Sequence, residues 1–242
     1  MARHSEGGVQ SVAVQGAIPA GVPARGLYVQ TFGGFRLYRD GCVLPAGAWR
    51  RRPTRLVLVR LLLVGPGGIA RRELQEDLWP GVAVGSAGNR LRVVLHALRR
   101  TLQPDLGPRA ASGYLQANRR TCALTTPIPW DLGRLRDGLA AAESAGRRDP
   151  RAVADLRRDF SAVQGPWLAD EPALTAALAA ARPQAQAVAA RAALCLMQIG
   201  LERGERPAVV RVAEQALRAG VAGEGPWGER LRAVRARAVG RR

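Results

Sequence analysis

The stretch that most constrains this chain is residues 69–102, which read IARRELQEDLWPGVAVGSAGNRLRVVLHALRRTL. A short amphipathic segment is followed by Trp79-Pro80, a glycine-rich turn and a longer segment with leucines at helical spacing. We predict helices over residues 71–78 and 87–102, because Pro80 ends the first and the turn redirects the chain. The buried stripe of the second helix is expected to contain Leu91, Leu95, Leu98 and Leu102.

Residues 27–47, LYVQTFGGFRLYRDGCVLPAG, alternate apolar and polar side chains in the manner of β-strands. The alternation is interrupted at Gly33-Gly34 and at Asp40-Gly41, and Asp-Gly between two strands is typical of a hairpin turn. We therefore predict a small antiparallel sheet. Its inward-facing side chains are expected to include Val29, Phe35 and Leu37.

Two further segments complete the first half of the chain. Pro53 suits the first turn of a helix, which is predicted to continue until the sequence GPGG ends it. Residues 108–125, PRAASGYLQANRRTCALT, contain short β-like runs that Ser112-Gly113 interrupt, which favours a terminal hairpin. Strands, three helices and a hairpin in this order predict a winged helix-turn-helix.

The second half of the chain differs in composition. From Asp131 onward, alanine-rich amphipathic segments alternate with Gly, Pro and Asp, and two of them flank Gly204 in a way that resembles tetratricopeptide-like repeats. The predicted fold class is an α+β winged helix-turn-helix followed by an all-α helical domain with tetratricopeptide-like repeats. The predicted boundaries are residues 1–25 for a flexible leader, residues 26–126 for the first domain and residues 127–242 for the second.

The charge of the chain narrows its expected partners. All 37 basic side chains are arginine, against 19 acids, which gives a net charge of +18. Residues 1–126 carry 18 of these arginines and 6 of the acids. Such an excess makes a polyanion the expected partner, with nucleic acid first and an anionic membrane second. The predicted winged helix narrows the nucleic acid to double-stranded DNA. The longest apolar run, residues 56–64, is too short to span a membrane and contains Arg60. No signal peptide is recognisable, so we expect a cytoplasmic protein without a membrane partner.

The residues that usually carry catalysis or bind metals are scarce. Cys42, Cys122 and Cys195 lie far apart without CxxC spacing, and only His4 and His96 could join them. No Ser-His-Asp arrangement and no phosphate-binding loop is recognisable. We therefore expect no enzyme, no cofactor and no metal site, and reduced thiols.

Several segments carry a family likeness when they are taken together. They are FGGFRLYRDGCVLP, the arginines at residues 50–52, ELQEDLWPG, NRLRVVLHALRRTL and SGYLQ, then DLGRLRDGLAAAESAG, Pro166-Trp167 and LERGERPAVVRVAEQAL. In this order they resemble the bacterial transcriptional activators of the SARP type. Those proteins join an OmpR-type winged helix to a helical bacterial transcriptional activator domain. The resemblance implies a transcriptional activator whose helical domain forms a homodimer or contacts RNA polymerase.

Two features depart from the pattern of that family. Pro183 lies where the family continues a long helix, so we predict a break or kink there. The chain also ends one helix after Gly225, so the last repeat is expected to be incomplete.

The helix over residues 87–102 is the expected DNA-reading element, because the major groove admits one α-helix. Arginine can bind guanine edges or phosphate oxygens, so both kinds of contact stay open here. His96 is either a DNA contact or an exposed polar residue. The predicted reading or phosphate-binding face comprises Arg90, Arg92, Val93, His96, Ala97, Arg99 and Arg100.

The terminal hairpin supplies a further candidate. Arg109, which precedes Ser112-Gly113, is expected in the wing between the two strands, in contact with the minor groove or with phosphate. Arg119 and Arg120 are expected to follow the hairpin and to lie at the periphery.

Arg51 and Arg52, at the start of the first helix, are candidates for phosphate binding, with a solvated charge run as the alternative. Trp79 and Tyr114 are expected to pack within the fold.

The predicted function is that of a sequence-specific DNA-binding transcriptional regulator, expected to be an activator. One alternative is a helical-repeat protein-interaction scaffold whose winged helix is not used for specific DNA binding. Another is a nucleic-acid-binding protein without sequence preference.

Overall fold

The computed structural model describes residue 19 and residues 21–49, 51–107, 110–144, 149–221 and 225–240. Most of the predicted leader and the candidate Arg109 lie outside the described residues.

A three-stranded antiparallel sheet begins the fold. Strand β1 (Leu27–Gln30) pairs with β2 (Arg36–Arg39), which pairs with β3 (Cys42–Val43). Asp40 and Gly41 connect β2 to β3 with φ angles of +49° and +77°. Positive φ at both central residues is what a tight hairpin turn requires, so the Asp-Gly signal predicted this turn correctly. The predicted inward-facing residues Val29, Phe35 and Leu37 are buried.

Three helices and a second antiparallel sheet follow the first sheet. They are α1 (Arg52–Val64), β4 (Ile69–Ala70), α2 (Arg71–Leu78), α3 (Val84–Leu102), β5 (Leu115–Ala117) and β6 (Thr121–Leu124). Strand β6 lies between β4 and β5, so the terminal hairpin is joined to the segment between α1 and α2. This order of elements is consistent with the predicted winged helix-turn-helix.

Helix α3 begins three residues before the predicted residue 87. The turn after α2 needs a positive φ at Gly81, whereas Gly85 and Gly88 adopt helical backbone. The helix packs against α1 and α2. Its buried residues include all four predicted leucines, Leu91, Leu95, Leu98 and Leu102, together with Ala87 and Val94.

The terminal hairpin turns at residues 118–120, later than predicted. The Asn118 side-chain oxygen accepts hydrogen bonds from the backbone N–H groups of Arg120 (2.7 Å) and Thr121 (2.8 Å). A side-chain bond of this kind stabilises a turn locally. The prediction that Arg119 and Arg120 follow the hairpin is therefore wrong, because they lie at its tip.

Ser112 and Gly113 precede β5 and do not form the turn of the hairpin. The Ser112 hydroxyl (2.6 Å) and the Gly113 N–H (2.8 Å) both donate to the side-chain oxygen of Gln103, at the end of α3. The Ser-Gly pair thus attaches the connection to α3. The predicted position of Arg109 in the wing lies outside the described residues and stays a prediction.

The second half of the described chain is helical. Its helices are α4 (Asp131–Ser144), α5 (Pro150–Ser161), α6 (Ala176–Glu202), α7 (Arg206–Arg218) and α8 (Pro226–Val239). Helix α4 packs on α5, α6 packs on α7, and α8 packs on both α6 and α7. The break predicted at Pro183 is wrong, because α6 is continuous through it, and the alternative of a kink stays a prediction. A proline removes one backbone hydrogen bond, and the packing of α6 against four other helices outweighs that loss.

Asp131 joins the helical half to the first sheet. Its carboxylate is buried at the start of α4 and accepts hydrogen bonds from the N–H of Thr31 (2.6 Å), the N–H of Phe32 (2.7 Å) and the Thr31 hydroxyl (2.6 Å). Phe32 also forms an antiparallel bridge with Trp167. These contacts place the end of β1 against the helices, so the two halves share one hydrophobic core.

We expect Asp131→Ala to lower the free energy of unfolding by about 3 kcal/mol or more, because each buried donor left without an acceptor costs about 1–3 kcal/mol. Urea denaturation followed by circular dichroism measures this change. Asp137, exposed on the same helix, provides the control. Asp137→Ala should change stability by less than about 0.5 kcal/mol. Equal losses in the two variants would contradict the role of Asp131.

Candidate nucleic-acid interface

The outward face of α3 is cationic and contains no acid. Residues Val84–Leu102 include four arginines and one histidine but neither Asp nor Glu. Among the residues that the structure describes, no ion pair includes an arginine of α3. The exposed members of the predicted face are Arg90, Arg92, Val93, His96 and Arg100.

Ala97 and Arg99, also predicted for this face, are only half-exposed. Arg99 lies close enough to Cys122 of β6 to influence its thiol. Burial raises the pKa of the Cys122 thiol, and the charges of Arg71 and Arg99 oppose this effect only in part. Cys122 is therefore a protonated packing residue, and Arg99 lies on the side of α3 that faces the hairpin.

Neutral partners orient two of the exposed arginines. Arg92 donates to the side-chain oxygen of Asn89 at 3.3 Å, and Arg100 donates to the backbone carbonyl of Leu106 at 3.0 Å. A guanidinium has five N–H donors, so each arginine keeps donors for an external acceptor. These contacts also leave the positive charge of both side chains uncompensated, because neither partner is an acid.

The tip of the terminal hairpin presents Arg119 and Arg120, both exposed. Arg71, the first residue of α2, fixes this tip: its backbone N–H donates to the carbonyl of Arg120 (2.8 Å), and its guanidinium donates to that of Asn118 (3.4 Å). The tip is thus attached to the helix-turn-helix. The sequence analysis placed these two arginines at the periphery because it assigned the turn to Ser-Gly, whereas the sequence Asn-Arg-Arg could have indicated the turn.

The two candidates at the start of α1 have different surroundings. Arg51 is exposed and lines a groove of about 540 Å³ between α1 and α3, together with Trp79 and Arg90. Arg52 instead forms an ion pair at 2.9 Å with Glu171, whose carboxylate is buried in the helical half. The structure therefore brings Arg51 next to α3 and gives Arg52 a contact within the protein.

Trp79 and Tyr114 are half-buried and pack against the hydrophobic core, as expected from the sequence.

Asp77 fixes helix α2, which precedes α3, from two sides. Its nearly buried carboxylate pairs with Arg60 of α1 at 3.1 Å and accepts hydrogen bonds from the Thr175 hydroxyl (2.9 Å) and the Ala177 N–H (3.1 Å). Thr175 caps the N-terminus of α6, where a negative charge is favourable. The orientation of the helix-turn-helix is thus set partly by the helical half.

Across the described ranges, no group of three or more His, Cys, Asp or Glu residues is arranged to hold a metal ion. In the same ranges, no helix has the length and apolar character needed to cross a bilayer.

One solved structure similar to this chain is that of Mycobacterium tuberculosis EmbR in complex with low affinity phosphopeptide. The TM-score is 0.50 at 20% sequence identity, and the match covers 88% of this chain and 65% of that chain. At this identity the likeness concerns the fold, a small N-terminal β region with helices followed by a helical region. No protein-family model and no curated protein matches the chain.

Leu98 and Arg92 test which face of α3 is buried. We expect Leu98→Ala, at a fully buried position, to lower the free energy of unfolding by about 2–5 kcal/mol. Arg92→Ala should change it by less than about 0.5 kcal/mol. Guanidinium denaturation measures both, and a large loss with Arg92→Ala would show that the faces are assigned incorrectly.

The contact between Asp77 and Thr175 should couple the two halves energetically. In a double-mutant cycle of Asp77→Ala and Thr175→Ala, we expect an interaction energy of about 1 kcal/mol, within the range for residues in direct contact. Arg72, exposed on the same helix, provides the control. Arg72→Ala and Thr175→Ala should be additive within about 0.5 kcal/mol. Additivity in the Asp77 cycle would contradict the coupling.

Proposed function

We propose that this chain is a sequence-specific DNA-binding transcriptional regulator of the SARP type, an activator that inserts α3 into the major groove of promoter DNA. The observation that carries this proposal is the acid-free, arginine-bearing face of α3, within a helix-turn-helix arrangement that ends in an arginine-tipped hairpin. A winged helix of this kind presents its second helix to base edges.

The N-terminal half of α3 would read the bases. Asn89 and Arg90 can form paired hydrogen bonds with adenine and guanine respectively, and Arg92 can bind a second guanine. Val93 is 45% exposed and suits contact with a thymine methyl group. His96, Ala97, Arg99 and Arg100 follow further along the helix and would contact bases or phosphates of the same groove.

Two other groups of arginines would hold the DNA backbone. Arg119 and Arg120 at the hairpin tip would reach the minor groove or its phosphates. Arg51, beside Arg90 at the groove between α1 and α3, would bind phosphate. Such contacts position the protein on the duplex and leave sequence discrimination to α3.

The resemblance to SARP-type activators suggests a role for the helical half. We assign to it formation of a homodimer or contact with RNA polymerase, in a protein that acts in the cytoplasm. The buried contacts of Asp77 with the first turn of α6 support this assignment, because a partner bound to the helices would be held in a fixed relation to the DNA.

Selection of bound duplexes from a random library, followed by titration of the enriched sequence, tests the proposal. We expect an enriched motif and, for the double variant Arg90→Ala and Arg92→Ala, a loss of about 1–3 kcal/mol in binding for each base contact removed. Arg72→Ala is the matched control, because Arg72 is exposed on α2 and paired with Glu76. The control should bind like the unmodified chain.

Each alternative gives a different result in this experiment. A scaffold protein would bind no duplex even at low salt. That result would contradict both the DNA binding and the sequence specificity that we propose. A protein without sequence preference would bind every duplex equally and enrich no motif. Specific binding should instead persist against competitor DNA.

A further inference from the structure

Helix α8 presents a second cationic surface, which the proposed function does not use. Its buried residues Gly228 and Leu231 and the later Ala238 attach the helix to α6 and α7. Four arginines of the helix stay exposed, and the helix contains a single acid. They are Arg230, Arg232, Arg235 and Arg237.

The four arginines lie in pairs on the two sides of an exposed ridge. Successive residues of an α-helix are rotated by about 100°, which puts Arg230 and Arg237 on one flank and Arg232 and Arg235 on the other. The ridge between them begins with Glu229 and continues with two small residues. These are the exposed Ala233 and Ala236.

Three carboxylates on or beside the neighbouring helices are already paired. Ion pairs join Glu143 to Arg191 (2.9 Å), Glu205 to Arg157 (3.0 Å) and Glu214 to Arg218 (3.6 Å). By contrast, no ion pair within the described part of the chain includes an arginine of α8. The positive charge of α8 is therefore left for an external partner.

Arg230 has a defined position in spite of its exposure. Its guanidinium lies 5.5 Å from the centre of the Trp227 ring, a cation–π contact. This contact reduces the conformational freedom that the side chain would lose on binding a ligand.

We propose that α8 is a second DNA-binding surface, which contacts the phosphates of the two strands that border a groove. The alanine ridge allows close approach of the helix, and the arginine pair on each flank reaches one strand. Phosphate contacts of this kind add affinity without reading the sequence. The inference extends the proposed function to a separate surface and can fail independently of it.

The composition of the ridge favours DNA over an acidic protein. Protein interfaces are anchored by large apolar or aromatic side chains at their centre. The middle of the α8 ridge offers only alanines. Val239 is exposed at the end of the helix, and the half-buried Trp227 at its start is in contact with Arg230.

The salt dependence of binding to a mixed-sequence duplex of about 60 base pairs tests the proposal, because each neutralised phosphate adds about −0.9 to the log–log slope. We compare the full chain with the variant R230Q/R232Q/R235Q/R237Q, since glutamine retains a high helix propensity. The slope should become shallower by about 2–4, from the loss of two to four phosphate contacts.

The control variant R157Q/R158Q/R191Q/R218Q removes the same charge from ion-paired arginines of the helical half. It should keep a slope close to that of the unmodified chain. Equal effects of the two variants would show that only net charge matters, and an unchanged slope in the α8 variant would show that α8 does not contact DNA. Either result overturns the proposal.

Two further arms complete the test. R232Q/R235Q leaves the contact of Arg230 with Trp227 intact and should give about half of the change in slope, which guards against a folding defect in the fourfold variant. The α8 variants should keep their preference for the selected motif, whereas R90A/R92A should lose it. If the fourfold variant lost binding to polyglutamate but kept its DNA slope, the surface would bind an acidic protein and the proposal would be wrong.

Discussion

Asp77 lies nearly buried where helices α1, α2 and α6 meet, and the position of α3 depends on its contacts. A buried carboxylate is costly unless cations and hydrogen-bond donors surround it. Arg60 supplies the cation, and Thr175 and Ala177 supply the donors. Since α3 packs on α2, a change at the start of α6 would be transmitted to the helix-turn-helix through this one group. Elsewhere along the junction, Glu171 is paired with two cations, Arg52 and Arg55, and Asp131 is surrounded by hydrogen-bond donors alone.

These junction carboxylates also explain how the arginines are divided. Arg52 and Arg55 bind Glu171, and Arg60 binds Asp77, so the arginines of α1 are used within the protein. The arginines of α3 and of the hairpin tip have no such acids beside them within the described residues. A high net charge thus becomes a local field at one surface, which attracts a polyanion and raises its rate of association. The distribution of acids thus decides which arginines stay available for an external anion.

Local patterns in the sequence predicted most helices and strands, but they could not predict contacts between residues far apart in the chain. The predictions of the turn at Asp40-Gly41 and of the buried leucines of α3 are confirmed, because turn chemistry and helical spacing are determined by neighbouring residues. The turn of the hairpin was predicted too early in the chain, because Ser112 donates a hydrogen bond to Gln103 and does not form the turn. Pro183 failed as a breaker because packing outweighs one lost hydrogen bond. The predicted face of α3 is largely exposed. The ion pair of Arg52 could not be predicted, because its partner Glu171 lies 119 residues away in the chain.

Helix α6 sets the scale on which the two cationic surfaces are separated. Its first turn contacts Asp77 beside the helix-turn-helix, and α8 packs near Leu194 and Leu201. At 1.5 Å per residue, the distance along α6 from Ala177 to these leucines is about 25–36 Å. One turn of B-DNA is about 34 Å long. On the proposed function, a duplex that occupied both surfaces would then extend about one turn beyond the bases contacted by α3.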